Sequence, residues 1–310
     1  MGKLNMAYDR KIFGTNIVPK QADIAPGVAW GNLILSWDWD GWVKPQIDYM
    51  AGNAVGCNAI RMIGAAYDIA AGRFTQQFYD TRITQLLDYC ASLGVYVYFC
   101  GCGKGSLTAT PISNDGIANI FATTLLKAQK YSNVIGVDLV QEANVAAAPT
   151  DANLIDIIAR VKAAGVALPI TCSTAETNLS SAAAAPWITS MAPYFDFIDA
   201  HIYTYPVTMQ TLSYLRGAFP DKDIILGEYG RAQSVAEDSR LADLKGVLDL
   251  MNSGDQYIRG GLRWASEDQD SVASNMWGAY DVSWNPRTRE LNQLRRYTGG
   301  SLQAINSRVT

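Results

Sequence analysis

Eight short runs rich in Val, Ile and aromatic residues are separated by stretches with helical periodicity, and few folds accommodate that repeat. The runs predict strands at Ile12–Ile17 (or, as an alternative first strand, Val28–Ile34), Cys57–Ile63, Val95–Gly101, Val134–Val140, Leu168–Ser173, Phe195–Tyr203, Asp223–Tyr229 and Ile258–Ala265. Between them the pattern predicts helices over Lys44–Val55, Phe78–Leu93, Ile117–Tyr131, Asp151–Ala164, Thr208–Ala218 and Glu237–Asn252, with a last one over Arg287–Tyr297. Each gap is long enough for the crossover that joins two parallel strands. Gly56, Gly94 and Gly165 each close a helix just ahead of the next strand, and such short connections suit a parallel barrel.

A doubly wound open sheet would alternate in the same way, but it usually carries a Gly-rich loop after its first strand. Neither GxGxxG nor GxxxxGK[ST] occurs. No linker, charge run or repeat divides the 310 residues, and 49% hydrophobic against 17% charged residues is enough material for one large core. The expectation is therefore an α/β chain forming a single-domain (β/α)8 TIM barrel over residues 1–310. An N-terminal extension to about residue 45 would join the first strand and cover the barrel.

Composition removes several function classes. A net charge of -4 argues against a nucleic-acid partner, which would call for a basic stripe. No apolar run reaches 18 residues, so no membrane partner is expected. The start MGKLNMAYDRKIFG has no apolar core followed by a cleavage site, so no secretory signal is read there, and localisation stays open. Cys57, Cys90, Cys100, Cys102 and Cys172 show no CxxC spacing and read as buried thiols. His201 is the one histidine, which rules out a multi-histidine zinc cage; neither a metal nor a cofactor is expected.

Functional groups of a barrel gather at the C-terminal ends of its strands. The polar residues that close the runs there are Arg61, Gln141, Glu142, His201, Tyr203 and Glu228, with Trp264 after the last. Glycosidic cleavage needs one carboxyl group to protonate the departing oxygen and a second to meet the developing oxocarbenium carbon. Glu142 and Glu228, three βα units apart, face each other across the mouth and could supply both, with Arg61 keeping Glu228 ionised.

The segments LVQEAN, HIYTYP, IILGEYG and GCNAIRMIG, with Trp264, resemble clan A of the glycoside hydrolases, a group of cellulase-like and mannanase-like enzymes. The resemblance runs over roughly residues 12–265 by strand order and terminal motifs. It implies a retaining enzyme on a carbohydrate partner, with the strand-four Glu142 as acid/base and the strand-seven Glu228 as nucleophile. It also implies that Arg61 lies near the nucleophile and that Tyr203 hydrogen-bonds it. Where the clan usually has asparagine before the acid/base, contacting the sugar 2-hydroxyl, this chain has Gln141, one methylene longer.

Sugar rings present apolar C–H faces beside hydroxyls, so their sites combine aromatic platforms with polar groups. Trp264 reads as the platform under the cleaved sugar. In SWDWDGW, Trp37 and Trp39 read either as flanking subsites or, with Trp42, as a packed plug over the barrel; Trp277 and Trp284 recur near the end. Tyr229 and Asn58 read as packing residues, and Glu267, Asp268 and Asp270 as a solvent-facing loop. Two rival functions stay open: a barrel that binds carbohydrate without turnover, and a lyase or aldolase using Lys104.

Overall fold

Strands form where the β-branched and aromatic runs lie, because a parallel sheet covered by helices needs apolar residues on both faces. The computed structural model describes residues 11–19, 33–34, 37–51, 55–63, 68–69, 72–101, 113–145, 150–175, 185–203, 205–265, 278–281 and 283–298. The strands are β1 (Ile12–Ile17), β2 (Ala59–Ile63), β3 (Tyr96–Cys100), β4 (Val134–Asp138), β5, β6 (Ile198–His201), β7 (Ile224–Tyr229) and β8 (Ile258–Arg263). The fifth, β5, is in two pieces, Ile170–Thr171 and Thr174–Ala175.

Every pairing is parallel, and the order runs from one piece of β5 through β4, β3, β2, β1, β8, β7 and β6 to the other. The first piece pairs with β4 and the second with β6, so the sheet closes on itself through one interrupted strand. Among the described residues eight helices surround it: α1 (Lys44–Met50), α2 (Gln76–Leu93), α3 (Asn114–Ala128), α4 (Asp151–Ala163), α5 (Pro186–Met191), α6 (Tyr205–Ala218), α7 (Glu237–Met251) and α8 (Thr288–Thr298). This is the (β/α)8 barrel.

The first strand is Ile12–Ile17, and most of the alternative Val28–Ile34 lies outside the described residues. The six-residue α5 had no counterpart in the periodic pattern; six residues are too few to display one. Helix ends are set locally. Thr75, Ser113 and Thr150 cap α2, α3 and α4 by accepting the backbone N–H of Phe78, Gly116 and Asn153. Gly94 ends α2 at φ 66°, the left-handed region that a side chain penalises. No helix among the described residues is long and apolar enough to cross a membrane.

Two apolar layers hold the barrel. Ile12, Ala59, Tyr98, Ile135, Phe197, Ile225 and Leu262 form a small cluster inside it, while the larger core lies between strands and helices. Closure between β1 and β8 needs a bare backbone at Gly260. There φ is 117°, and a Cβ would sit 2.0 Å from the Ile12 carbonyl oxygen. Gly260→Ala is expected to lower the unfolding free energy by about 3 kcal/mol. Urea denaturation would read this, with Gly217→Ala in α6 as the control: its added methyl group meets open space, and stability should hold or rise.

Candidate active site

At the C-terminal end of β4 the chain leaves the sheet at Asp138 and turns over Gln141–Val145. The Asn144 side chain clamps that turn to β5, donating to the Ala175 carbonyl and accepting its N–H. Glu142 sits in the turn at φ 49°, and its N–H donates to Ser173 Oγ at 2.9 Å. A left-handed backbone at a non-glycine residue costs about 1–2 kcal/mol, which the Ser173 and Asn144 contacts offset.

Glu228 reaches the barrel interior through a bulge. Asp199 pairs with Ile225, but His201 pairs with Glu228, so three steps along β7 match two along β6. The β8 side repeats the mismatch, with Leu226 opposite Gly261 and Tyr229 opposite Arg263. One extra residue in β7 reverses the side-chain parity, and the carboxylate turns inward after Ile225 has already done so.

Once inside, Glu228 is surrounded by donors. Its Oε1 accepts from Arg61 Nη1 at 2.8 Å and from Gln141 Nε2 at 2.9 Å, while Oε2 accepts from the Tyr203 hydroxyl. Arg61, fully buried, also donates to Asn16 Oδ1 at 2.9 Å and to Asp138 Oδ2 at 2.7 Å. His201 Nδ1 lies 3.3 Å from Glu142 Oε1 and 3.5 Å from Glu228 Oε1. One oxygen of each glutamate and a ring nitrogen of His201 all fall within 4.8 Å of one another.

Burial pushes the Glu228 carboxyl above the ordinary glutamate value, against the downward pull of His201 and Arg61. Each group touching it can donate a hydrogen bond, so the ionised carboxylate is the form this shell accommodates. Burial alone would lower the His201 pKa; the charge of Glu228, with Asp199 and Glu142, raises it to about 10 instead. His201 is therefore an imidazolium at neutral pH. Burial, then the charge and hydrogen bond of Glu228, pushes the Tyr203 phenol well up, keeping it a donor.

No protein-family model matches the chain, and no curated protein matches it. Solved structures do. A triple mutant of an endo-beta-1,4-glucanase from Xanthomonas axonopodis pv. citri superposes with a TM-score of 0.67 at 14% identity, covering 93% of this chain and 99% of that one. An exo-beta-1,4-mannosidase from Opitutaceae bacterium strain TAV5 gives 0.68 at 16% identity, covering 94% and 60%. A Bacteroides uniformis beta-glucuronidase gives 0.67 at 14%, covering 93% of this chain and 35% of that one. This chain thus spans about a third of the length of the B. uniformis glucuronidases it resembles.

The chain shares the (β/α)8 barrel fold of these glycoside hydrolases. On that fold six of the residues singled out by sequence meet at the barrel mouth: Arg61, Gln141, Glu142, His201, Tyr203 and Glu228. Trp264, 5% exposed, stands at the end of β8 and packs with Val18, Cys100 and Tyr203. Gln141 directs its amide N–H to Glu228.

Trp37 and Trp39 are placed elsewhere. Their rings stack 5.7 Å apart against α2, with Trp37 Nε1 donating to Gln85 and Trp39 edge-on to Tyr89. Trp42 turns inward, donates to the Val18 carbonyl and packs on Trp284. Cys57, Cys90, Cys100 and Cys172 are buried. Cys102, Lys104, Glu267, Asp268, Asp270 and Trp277 lie outside the described residues.

Sequence reasoning missed three members of this cluster: Asn16, Asp138 and Asp199, all fully buried. Each was absorbed into an apolar run, IFGTNI, VIGVDLV or FIDAHIY. The signal was present, since an amide or carboxylate side chain inside a strand buried on both faces is rare unless it is paired.

Proposed function

We propose that this protein is a retaining β-glycosidase acting on gluco- or manno-configured oligo- or polysaccharides, with Glu228 as nucleophile and Glu142 as acid/base. The observation that carries the reading is the close approach of the two carboxylates, with an oxygen of each inside a 4.8 Å group. Retaining enzymes hold their carboxyl groups about 5–5.5 Å apart, whereas inverting ones leave about 6.5–9.5 Å for a water. The similar structures include an endo-beta-1,4-glucanase, an exo-beta-1,4-mannosidase and a beta-glucuronidase, which favours a β-linked substrate.

In this reading Glu228 attacks the anomeric carbon as Glu142 protonates the departing glycosidic oxygen, leaving a glycosyl ester on Glu228. Glu142, now a carboxylate, takes a proton from water, whose oxygen displaces Glu228 and restores the original configuration. Arg61, Gln141 and Tyr203 hold both oxygens of Glu228, so the carboxylate need not reorganise to react.

The test is mass spectrometry of the protein after incubation with a 2-fluoro β-glycoside bearing an activated leaving group. A single glycosyl adduct on the peptide containing Glu228 is expected; an adduct on another residue would overturn the assignment. Glu142→Ala should lose about 100-fold or more on natural linkages yet keep substantial turnover of dinitrophenyl glycosides, which need no protonation to leave. Polysaccharide binding without release of reducing ends would instead support a non-hydrolytic carbohydrate-binding barrel.

A further inference from the structure

Directly beneath the two glutamates a second pair of carboxylates is buried, and Asp199 among them has a seat built for it. Its Oδ1 accepts the Gly227 N–H at 2.7 Å and its Oδ2 accepts the Tyr98 hydroxyl at 2.5 Å. A Cβ at Gly227 would lie 2.3 Å from Asp199 Oδ1, so a side chain at position 227 would evict the carboxylate. Asp199 Oδ1 faces His201 Nε2 at 3.8 Å, and that nitrogen is buried with no hydrogen-bond partner among the described residues.

Both ring nitrogens of His201 thus face carboxylate oxygens: Nε2 faces Asp199, and Nδ1 faces Glu142 and Glu228. A lone pair on Nε2 would point at the Asp199 carboxylate and one on Nδ1 at the Glu228 carboxylate, so a proton on each nitrogen is the favoured arrangement. We propose that Asp199 is a positioning residue: seated by Gly227 and Tyr98, it holds His201 as a doubly protonated bridge between Glu142 and Glu228. The bridge orients both carboxylates and supplies a positive charge when Glu142 loses its proton.

Other charged groups act on the same ring. Glu142 and Asp138 approach from β4 and its turn, Glu228 from β7 and Asp199 from its own strand; the Arg61 cation stands on β2, and the Tyr203 phenol and Tyr98 complete the surround. Asp138 is already paired with Arg61 and with the Ser173 N–H, which leaves Asp199 as the anion on the Nε2 side. The seat at Gly227 falls at the bulge of β7 that turns Glu228 inward, so one irregularity places both groups.

His201 is the one histidine of the chain, so its imidazole can be followed alone. With 15N-histidine-labelled protein, the nitrogen shifts of the wild type should keep the imidazolium pattern to at least about pH 9. Asp199→Asn should lower the midpoint by about one pH unit or more, a tenfold loss of proton affinity. Gly227→Ala, which leaves the aspartate present but unseated, should move it the same way and serves if Asp199→Asn does not fold. A wild-type midpoint near the ordinary histidine value, or variants that fold and leave it unmoved, would overturn the proposal.

Because the role rests on the glycosidase reading for its consequence, a second arm follows turnover of an aryl β-glycoside. Asp199→Asn should lower kcat by about 10- to 100-fold with KM little changed, and draw in the basic limb of the pH profile by the same increment as the midpoint. An unmoved basic limb would overturn the catalytic consequence. The expected titrations without hydrolysis of any β-glycoside would instead count against the glycosidase reading and leave the seat of Asp199 standing.

Discussion

Glu228→Ala is expected to lower kcat/KM on an aryl β-glycoside by on the order of 10⁴-fold or more, while the protein stays folded. On the proposed mechanism the size follows from the loss of a covalent step: without the carboxylate no glycosyl ester would form, and the donors around it would have no nucleophile to orient. Added azide should restore part of the rate by occupying the vacated space, and the product should then be the α-glycosyl azide, since the azide attacks once from the Glu228 side. Turnover within tenfold of the wild type, or an azide product of β configuration, would show that the nucleophile lies elsewhere. The control is Glu228→Gln, which keeps the shape; it should match the alanine variant in lost activity but give no azide product.

Arg61→Ala should be the most destabilising single change at the site, by about 3–5 kcal/mol. Arg61 is fully buried between Glu228 and Asp138, and its removal leaves two carboxylates in a low-dielectric interior without their cation. For a chain of this size that corresponds to a fall in Tm on the order of 10 °C. Adding Asp138→Asn should recover part of the loss, because one of the stranded charges is removed; the double-mutant cycle then measures the coupling directly. A fall of less than about 1 kcal/mol for Arg61→Ala would mean that water or a rearranged side chain replaces the guanidinium. The pair itself is weak evidence for net stability, since a buried ion pair is offset by desolvation, but breaking it on one side is costly.

The βα alternation was legible because burial on both faces forces each strand to be a continuous apolar run, and helices between strands keep a 3.6-residue period. Strand ends were legible for the same reason: a polar residue closing such a run is where the chain leaves the core, and Arg61, Glu142, His201 and Glu228 were found that way. The tryptophans show the limit. SWDWDGW has the composition of a sugar platform, yet Trp37 and Trp39 stack against Gln85 and Tyr89 of α2, a contact 48 and 50 residues away that no local pattern encodes.

Sequence by itself determined the class of fold, the order of its strands and the residue types at the barrel mouth, because these follow from periodicity and from where apolar runs stop. Tertiary structure alone decided which side chains meet inside. Strand parity from Ile225 would send Gly227 inward and Glu228 outward; only the bulge against both neighbouring strands brings Glu228 to Arg61, Gln141 and Tyr203. Likewise, Asp138 and Asp199 are unremarked single letters until closure of the barrel sets them beneath Arg61 and His201. Register and closure are non-local, set by hydrogen bonds between strands far apart in the chain, and the charge of a buried group depends on neighbours that only those bonds supply.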